Sequence, residues 1–447
     1  MSTHVASNGA SSALVAKLQE AIRVAGPRVT GRVSSVVGLQ LEVEGLQSAI
    51  GDAVMVETPS GVLPAEVVAL RDDGLVCMPF GTLAGVRTGA TVAAADRPLT
   101  VPVGPGLLGR VVDGLGRPID DGGPLRDTTP VTVDGEPPHP LRRSLVDRPL
   151  PLGVRALDAL IPCGRGQRLG IFAGSGVGKS SVLSMIARGT EAQVSVIGLI
   201  GERGREVRDF IESDLGPEGM ARSVVVVATS DEPALVRLRA AFTATRIAEW
   251  FRDQGADVVL MMDSLTRFAM AQREVGLSAG EPPATRGYPP SVFALLPRLL
   301  ERAGAGEHGS ITGLYTVLVE GDDMNEPIGD AARSILDGHI VLSRRLATAG
   351  HFPSIEVLES ISRVAPAITS REQRGAATEF RRLLAAYRDA RDLIEIGAYV
   401  PGTNPLVDRA VQLRDAMDGF LRQDIGEIAS AEASWEALQS IVGSPHM

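Results

Sequence analysis

The clearest chemical signal lies in the middle of the chain, at residues 173–180, where glycines alternate with small residues before a lysine and a serine. An apolar run at 169–172 precedes this segment, and residues 181–186 follow it with the spacing of a helix. A strand, a glycine-rich loop and a helix in this order are the context of a phosphate-binding loop. Backbone N–H groups of such a loop, and of the helix that follows it, converge on one anion. The segment therefore predicts a nucleoside triphosphate site.

Within this loop the residues have separate expected roles. Lys179 is expected to contact the β- and γ-phosphates, and the Ser180 hydroxyl to bind Mg²⁺. Ala173 replaces the usual first glycine, which requires a negative φ at that position. A glycine-rich surface turn is the alternative interpretation, and the flanking strand and helix disfavour it. The residues predicted to hold the nucleotide are Ala173, Gly174, Ser175, Gly176, Val177, Gly178, Lys179, Ser180 and Ser181.

Two acidic residues follow apolar segments of strand length. Asp263 comes after 258–262, and Glu202 comes shortly after 194–200. The carboxyl ends of parallel strands meet at the sheet edge where ligands bind. Asp263 is therefore predicted to hold Mg²⁺ through a water, and Glu202 to orient the attacking water. The alternatives are a helix cap for Asp263 and a paired surface charge for Glu202.

Two arginines are candidate ligands of the γ-phosphate. Arg203 follows Glu202 directly and is expected to donate to that phosphate, whereas the charges at 205–209 are expected to pair on a helix surface. Arg363 lies beyond the last predicted core strand. The residues alone leave two interpretations of Arg363 open: an ordinary surface arginine, or an arginine finger on a neighbouring subunit's γ-phosphate.

Length and composition limit the class of protein. A chain of 447 residues exceeds one ordinary core, so two or three domains are expected. A net charge of −10 and 4% aromatic residues argue against nucleic-acid binding. Cys77 and Cys163 lack metal-ligand spacing and are expected to be reduced in a cytosolic protein. Without an apolar run of spanning length or a signal peptide, membrane association is expected only through partners.

Changes of pattern along the chain predict an α/β protein in several parts. An amphipathic helix at 12–25 has two interpretations, packing on its own domain or docking a partner. Short alternating strands predict a small β-barrel, and buried strands between helices predict a parallel sheet. The predicted parts are an N-terminal helix in 1–28, a β-barrel at 29–97, a connecting segment at 98–149, a nucleotide-binding core at 150–377 and a helical domain at 378–447.

Further segments share a pattern with a known family. They are GRVVDGLGRPID at 109–120, PLGVRA at 151–156, CGRGQR at 163–168, GERGRE at 201–206, MDSLTR at 262–267, GEPPATRGYPPSVF at 280–293, EGDD at 320–323 and DGHIVLSR at 337–344. With these segments and the phosphate loop, the chain resembles the flagellar protein-export ATPases from about residue 29 to 410. That family is related to the rotary ATP synthase catalytic subunits and to the injectisome ATPases.

The resemblance implies a RecA-like core and a homohexamer with Mg²⁺-dependent ATP hydrolysis at its subunit interfaces. It implies that Glu202 is the catalytic carboxylate and that Arg363 is a finger supplied in trans. It also implies that Phe352 packs on the adenine ring, where family members often have tyrosine.

The resemblance also implies partners and a location. The N-terminal helix resembles the docking helix for the flagellar ATPase regulator. A stalk protein, the export gate, export substrates and their chaperones are further implied partners, at the cytoplasmic face of the secretion apparatus. The segment at 395–408 resembles the export branch and not the acidic catch of rotary synthases, and residues 163–167 and 173–176 look flagellar.

Four alternatives are also compatible with the sequence: an injectisome ATPase, a rotary synthase subunit, a non-catalytic nucleotide-binding scaffold and an RNA translocase.

Overall fold

The computed structural model describes residues 29–95, 98–319, 321, 323 and 326–443. The chain forms two compact units, Met1–Pro98 and Leu99–Met447. The helix predicted at 12–25 lies outside the described residues.

The first unit is a closed β-barrel of six strands. Its core consists of inward-facing apolar side chains such as Val33, Leu41 and Val54. In the first two strands, such side chains alternate with exposed or half-buried residues. This confirms the predicted barrel. The strands, which neighbour one another in the order β1-β2-β5-β4-β3-β6, are β1 Thr30–Val37, β2 Gln40–Glu44, β3 Ala53–Thr58, β4 Gly61–Arg71, β5 Gly74–Pro79 and β6 Thr91–Ala94.

The second unit is built on a largely parallel sheet, as predicted. Its order is β17-β16-β10-β15-β13-β11-β12-β8, with β14 antiparallel to β15 and with β7 and β9 as a separate pair. The strands are β7 Thr100–Val103, β8 Arg110–Asp113, β9 Thr129–Thr132, β10 Arg168–Ala173, β11 Val194–Glu202, β12 Ser223–Thr229, β13 Asp257–Asp263, β14 Gly304–Ala305, β15 Ser310–Leu318, β16 Gly338–Leu342 and β17 Ile361–Ser362. Its central strands are almost wholly buried, which explains their continuous hydrophobicity.

Helices cover the sheet and form the C-terminal part. They are α1 Arg155–Leu160, α2 Lys179–Gly189, α3 Gly204–Asp209, α4 Gly216–Ala221, α5 Ala234–Asp253, α6 Leu265–Ala279, α7 Pro290–Leu300, α8 Pro327–Ile335, α9 Arg344–Thr348, α10 Ala365–Ile368, α11 Arg371–Glu395, α12 Pro405–Gln412, α13 Arg414–Leu421 and α14 Ala431–Gly443. Phe380 and Phe420 join α11 to α13, with ring centroids 5.4 Å apart.

One strand of the core sheet lies within 98–149, the segment predicted to connect the domains. Residues Arg110–Asp113 form β8, which pairs in parallel with β12 at the sheet edge. Only Val111 and Val112 are apolar in this strand, and its flanks are rich in glycine and aspartate. The sequence therefore shows no alternation of apolar and polar residues that would predict a strand here.

The C-terminal helices also differ from the sequence boundaries. Helix α11 begins at Arg371, before the predicted boundary at 378, because Ser370 and Gln373 form a reciprocal capping box. Its first turns are polar, so hydrophobic periodicity alone places the start too late. Farther along this domain, Leu413 separates two short helices, α12 and α13.

A buried ion pair ties the inner helix α5 to the segment after α7. Arg302 donates from Nε to Glu249 Oε1 at 2.7 Å and from Nη2 to Oε2 at 2.8 Å. Both side chains are at most 3% exposed. Arg302 also donates to the Val133 carbonyl at 3.2 Å.

We predict that Glu249→Ala destabilises the second unit by about 3–5 kcal/mol, because it leaves the Arg302 guanidinium buried without its counter-charge. Thermal unfolding monitored by circular dichroism measures the effect as a lower melting temperature. The control is Glu274→Ala, which removes a more exposed partner of Arg237 and is expected to cost about 1 kcal/mol or less. Equal melting temperatures for the two variants would contradict the prediction.

Candidate active site

The glycine-rich segment predicted to be a phosphate loop lies between β10 and α2. Strand β10 is central, with β15 and β16 parallel on its two sides. Gly176 and Gly178 have φ of +74° and +94°, a left-handed conformation that favours glycine. Ala173 is a strand residue paired with Leu318, so the position that replaces the usual glycine has an extended backbone. The loop can therefore adopt its curve without the first glycine.

Three charged side chains meet beside this loop. Lys179 Nζ lies 2.5 Å from Asp263 Oδ1 and 3.3 Å from Glu202 Oε1. The side chains of Lys179, Glu202 and Asp263 are only 13%, 12% and 7% exposed. Asp263 ends β13 and Glu202 ends β11, so adjacent parallel strands deliver both carboxylates to one sheet edge. The structure thus brings together three of the predicted site residues, which we call the charge cluster.

The electrostatics of the charge cluster favour proton transfer at Glu202. Burial, and next to it the negative charge of Asp263, raise the pKa of Glu202 to about 7. A carboxyl group with this pKa can accept a proton from water near neutral pH. Burial opposes the charge of Lys179, but Asp263 and Glu202 outweigh it and raise the pKa of the ammonium. Lys179 therefore stays protonated.

The predicted magnesium donors fit that ion chemically. Mg²⁺ prefers oxygen donors and uses one or two carboxylates together with substrate phosphates and waters. Asp263 supplies a carboxylate, and the exposed Ser180 supplies a hydroxyl in the first turn of α2. No group of three or more His, Cys, Asp or Glu side chains with metal-binding geometry occurs in the described part of the chain. This donor set suits a metal shared with a nucleotide better than an all-protein metal centre.

Arg203 is not part of the charge cluster. Its side chain is 80% exposed, and Nη1 lies 3.6 Å from Glu206 Oε1. The neighbouring charges pair along the helix surface, Arg205 with Asp209 and Arg208 with Glu212. A contact between Arg203 and a γ-phosphate stays a prediction.

Arg363 lies at the edge of the sheet where the parallel strands begin, opposite the edge that holds the phosphate loop. It follows β17, whose Ser362 pairs with Gly338 at the beginning of β16. Because β16 is parallel to β10, its beginning lies about 15 Å of strand length from the edge that holds the phosphate loop. The exposed Arg363 donates from its backbone N–H to Asp337 O at 3.0 Å and from Nη2 to Arg333 O at 3.3 Å. Its guanidinium is therefore remote from the phosphate loop of its own chain.

Phe352 lies next to the phosphate loop. A Cβ atom built at Gly178 would be 3.4 Å from Cε1 of the Phe352 ring, which is 46% exposed. The Phe352 carbonyl accepts from Gln423 N at 3.0 Å, and the adjacent His351 Nδ1 lies 3.2 Å from Asp418 Oδ1. The C-terminal part thus holds this ring at the loop. Its packing on an adenine stays a prediction.

Two residues of this site, Thr316 and Arg267, are not predicted from the sequence. Thr316 is fully buried and donates to Asp263 Oδ1 at 2.7 Å. Arg267 packs its stem against Gly201, where a Cβ atom would lie 3.1 Å from the arginine Cβ. Its buried Nε has no hydrogen-bond partner among the described residues, and an anionic ligand is the kind of group that satisfies such a donor. Its position four residues after Asp263 was the available signal.

Comparisons with known proteins find similarity over most of the chain. Residues 153–362 match the model of the ATP synthase alpha/beta family, nucleotide-binding domain, and residues 369–440 match that of the T3SS EscN ATPase C-terminal domain. A flagellum-specific ATP synthase of Bacillus subtilis is 53% identical over 93% of this chain and 95% of its own length. A type 3 secretion system ATPase of Xanthomonas euvesicatoria is 50% identical over 95% and 96%.

Solved structures show the same fold. The assembled ATPase EscN in complex with its central stalk EscO, from the enteropathogenic E. coli type III secretion system, matches with a TM-score of 0.86 at 46% identity. The match covers 92% of this chain and all of that one.

Within the described residues, the helices are too short or too polar to cross a membrane.

The raised pKa of Glu202 predicts a pH-dependent stability. The folded state binds this proton more tightly than the unfolded state, whose glutamate has its ordinary pKa. The resulting stabilisation is complete below that ordinary pKa and is lost as the pH rises through about 7.

We therefore expect Glu202→Gln, without nucleotide, to gain stability relative to the original chain as the pH rises from 4.5 to 8, by about 3 kcal/mol. Melting temperatures across this range measure it. The exposed-site control Glu212→Gln should follow the original chain. If the difference in melting temperature between Glu202→Gln and the original chain stays constant with pH, the pKa of Glu202 is not raised in the folded state.

Proposed function

The chain belongs to the ATP synthase alpha/beta family, in the branch of flagellum-specific ATP synthases and type III secretion ATPases, and we propose that it exports flagellar subunits. It is an ATPase that serves type III protein export.

One observation carries the proposed ATP hydrolysis at subunit interfaces: the charge cluster lies at one sheet edge and Arg363 at the other. One copy supplies the phosphate loop, the metal ligand and the catalytic carboxylate, but not the finger. A head-to-tail contact between copies brings the two edges together, and closure of such contacts gives a ring. We place the active sites at the interfaces of a homohexamer, with Arg363 of one subunit acting on the nucleotide of the next.

Each predicted residue then has a role. The backbone of residues 173–178, with Ser181, surrounds the phosphates, and Phe352 packs on the base. Lys179 leaves the two carboxylates for the β- and γ-phosphates. Ser180 and Asp263 hold Mg²⁺, which neutralises phosphate charge when bound. Glu202 orients the attacking water and accepts its proton, while Arg203 turns from Glu206 toward the γ-phosphate.

The partners and the location follow from the family. We propose a cytoplasmic position at the secretion apparatus, reached through partners: the ATPase regulator at the N-terminal helix, a stalk protein, the export gate, and export substrates with their chaperones. EscN, which is similar to this chain, is described in complex with a central stalk.

The injectisome is the second candidate system, because a type 3 secretion ATPase is nearly as similar as a flagellar one. Deletion of the gene decides between them: loss of motility and of hook and filament secretion supports the flagellar assignment, and loss of effector secretion with normal motility opposes it. A rotary synthase subunit is disfavoured because residues 369–440 match the T3SS EscN C-terminal domain.

Replacement of the catalytic carboxylate tests the chemistry. We expect Glu202→Gln to bind ATP normally but to hydrolyse it 10²–10⁴-fold more slowly, because the water loses its base. Phosphate release and binding of a fluorescent ATP analogue measure the two quantities, with Glu212→Gln as the control at an exposed position. Normal turnover by folded Glu202→Gln protein would overturn the assignment.

Mixing experiments test the finger. Arg363→Ala and Lys179→Ala rings should each lose at least 10³-fold in turnover. In equal mixtures, about a quarter of the interfaces join an intact loop to an intact finger, so about a quarter of the activity should return. As a control, Lys179→Ala mixed with the double variant Lys179→Ala/Arg363→Ala should recover nothing. Mixed rings without recovery would contradict action in trans.

A further inference from the structure

Thr316 lies one strand away from the predicted metal ligand. Strand β15 runs parallel to β13, and Met262 pairs with Tyr315, so the next residues along each strand, Asp263 and Thr316, are neighbours at the sheet edge. The Thr316 side chain is fully buried. Its Oγ1 lies 2.7 Å from Asp263 Oδ1 and 3.3 Å from the Met262 carbonyl, so the carboxylate is the nearer acceptor.

Thr316 and Lys179 share one carboxylate oxygen. Lys179 Nζ contacts the same Oδ1 at 2.5 Å. Within the described residues, both hydrogen bonds to this carboxylate end on Oδ1, which leaves Oδ2 for a metal-bound water. A hydroxyl donating to a buried carboxylate is a charge-assisted hydrogen bond that fixes the orientation of the carboxylate.

Nucleotide binding removes one of the two donors. When Lys179 turns to the phosphates, the hydrogen bond from Thr316 is the one that stays, because Thr316 is part of the sheet. A carboxylate with no remaining donor would be free to rotate, and its second oxygen would no longer face the metal.

We propose that Thr316 is a positioning residue for magnesium: its hydroxyl keeps Asp263 oriented toward the Mg²⁺ of the bound nucleotide. This rests on the proposed role of Asp263 as the metal ligand. Thr316 touches neither the nucleotide nor the reacting atoms. Loss of the Thr316 hydroxyl therefore changes the Mg²⁺ concentration that nucleotide binding requires. It does not change the affinity for nucleotide without metal.

The test measures binding of a fluorescent ADP analogue to the full chain, first in EDTA and then during titration with Mg²⁺. Thr316→Val keeps the shape and removes the hydroxyl, and Thr316→Ala is a second variant without it. Thr316→Ser retains the donor. Thr312→Val is the matched control, because Thr312 is a buried threonine on the same strand and face whose hydroxyl accepts from Gly166 N at 2.9 Å.

We expect Thr316→Val and Thr316→Ala to raise the half-saturating Mg²⁺ concentration about 10–100-fold, with affinity in EDTA within about twofold of the original chain. Thr316→Ser and Thr312→Val should titrate like the original chain. An unchanged Mg²⁺ requirement in both hydroxyl-free variants, or an equal rise in Thr312→Val, overturns the proposal while the proposed function stands. If nucleotide binding by the original chain does not respond to Mg²⁺, both the metal role of Asp263 and the role of Thr316 are wrong.

Discussion

One largely buried lysine between two carboxylates is the interaction on which the rest of the structure depends. Lys179 lies within hydrogen-bonding distance of both Asp263 and Glu202, and all three side chains are largely withdrawn from water. Buried charges need partners, so without nucleotide the ammonium is held by the acids that are proposed to act on the metal and the water. A triphosphate offers the ammonium a more highly charged partner. In the proposed mechanism, phosphate binding and the release of the two acids are therefore one event.

The parallel sheet explains why these groups meet and why one copy is not enough. Strands β10, β11, β13 and β15 all end at one edge, so the phosphate loop, Glu202, Asp263 and Thr316 arrive there together. Since β17 pairs with the beginning of β16, the same sheet leaves Arg363 at the opposite edge. The two halves of the proposed active site are therefore on opposite edges of one rigid element. A ring of copies follows from this geometry more directly than a movement within one chain.

Local patterns sufficed for the parts of the site that lie on one strand and its following turn. The glycine spacing at 173–180 and the acids after two apolar strands are local, so Lys179, Asp263 and Glu202 could be placed from the sequence. Thr316 could not, because an ordinary threonine inside a buried strand becomes informative only through the register with β13. Strand β8 was missed because two valines among glycines and aspartates give no periodic signal. The start of α11 depends on a cap and not on hydrophobicity.

The most direct measurement is a structure of the chain with Mg²⁺ and a non-hydrolysable ATP analogue, with attention to the position of the Lys179 ammonium. We predict that Nζ leaves Asp263 Oδ1 and binds oxygens of the β- and γ-phosphates, while Glu202 faces the water in line with the γ-phosphate. A nucleotide bound elsewhere, or a Lys179 that still pairs with both acids beside a bound triphosphate, would contradict the account.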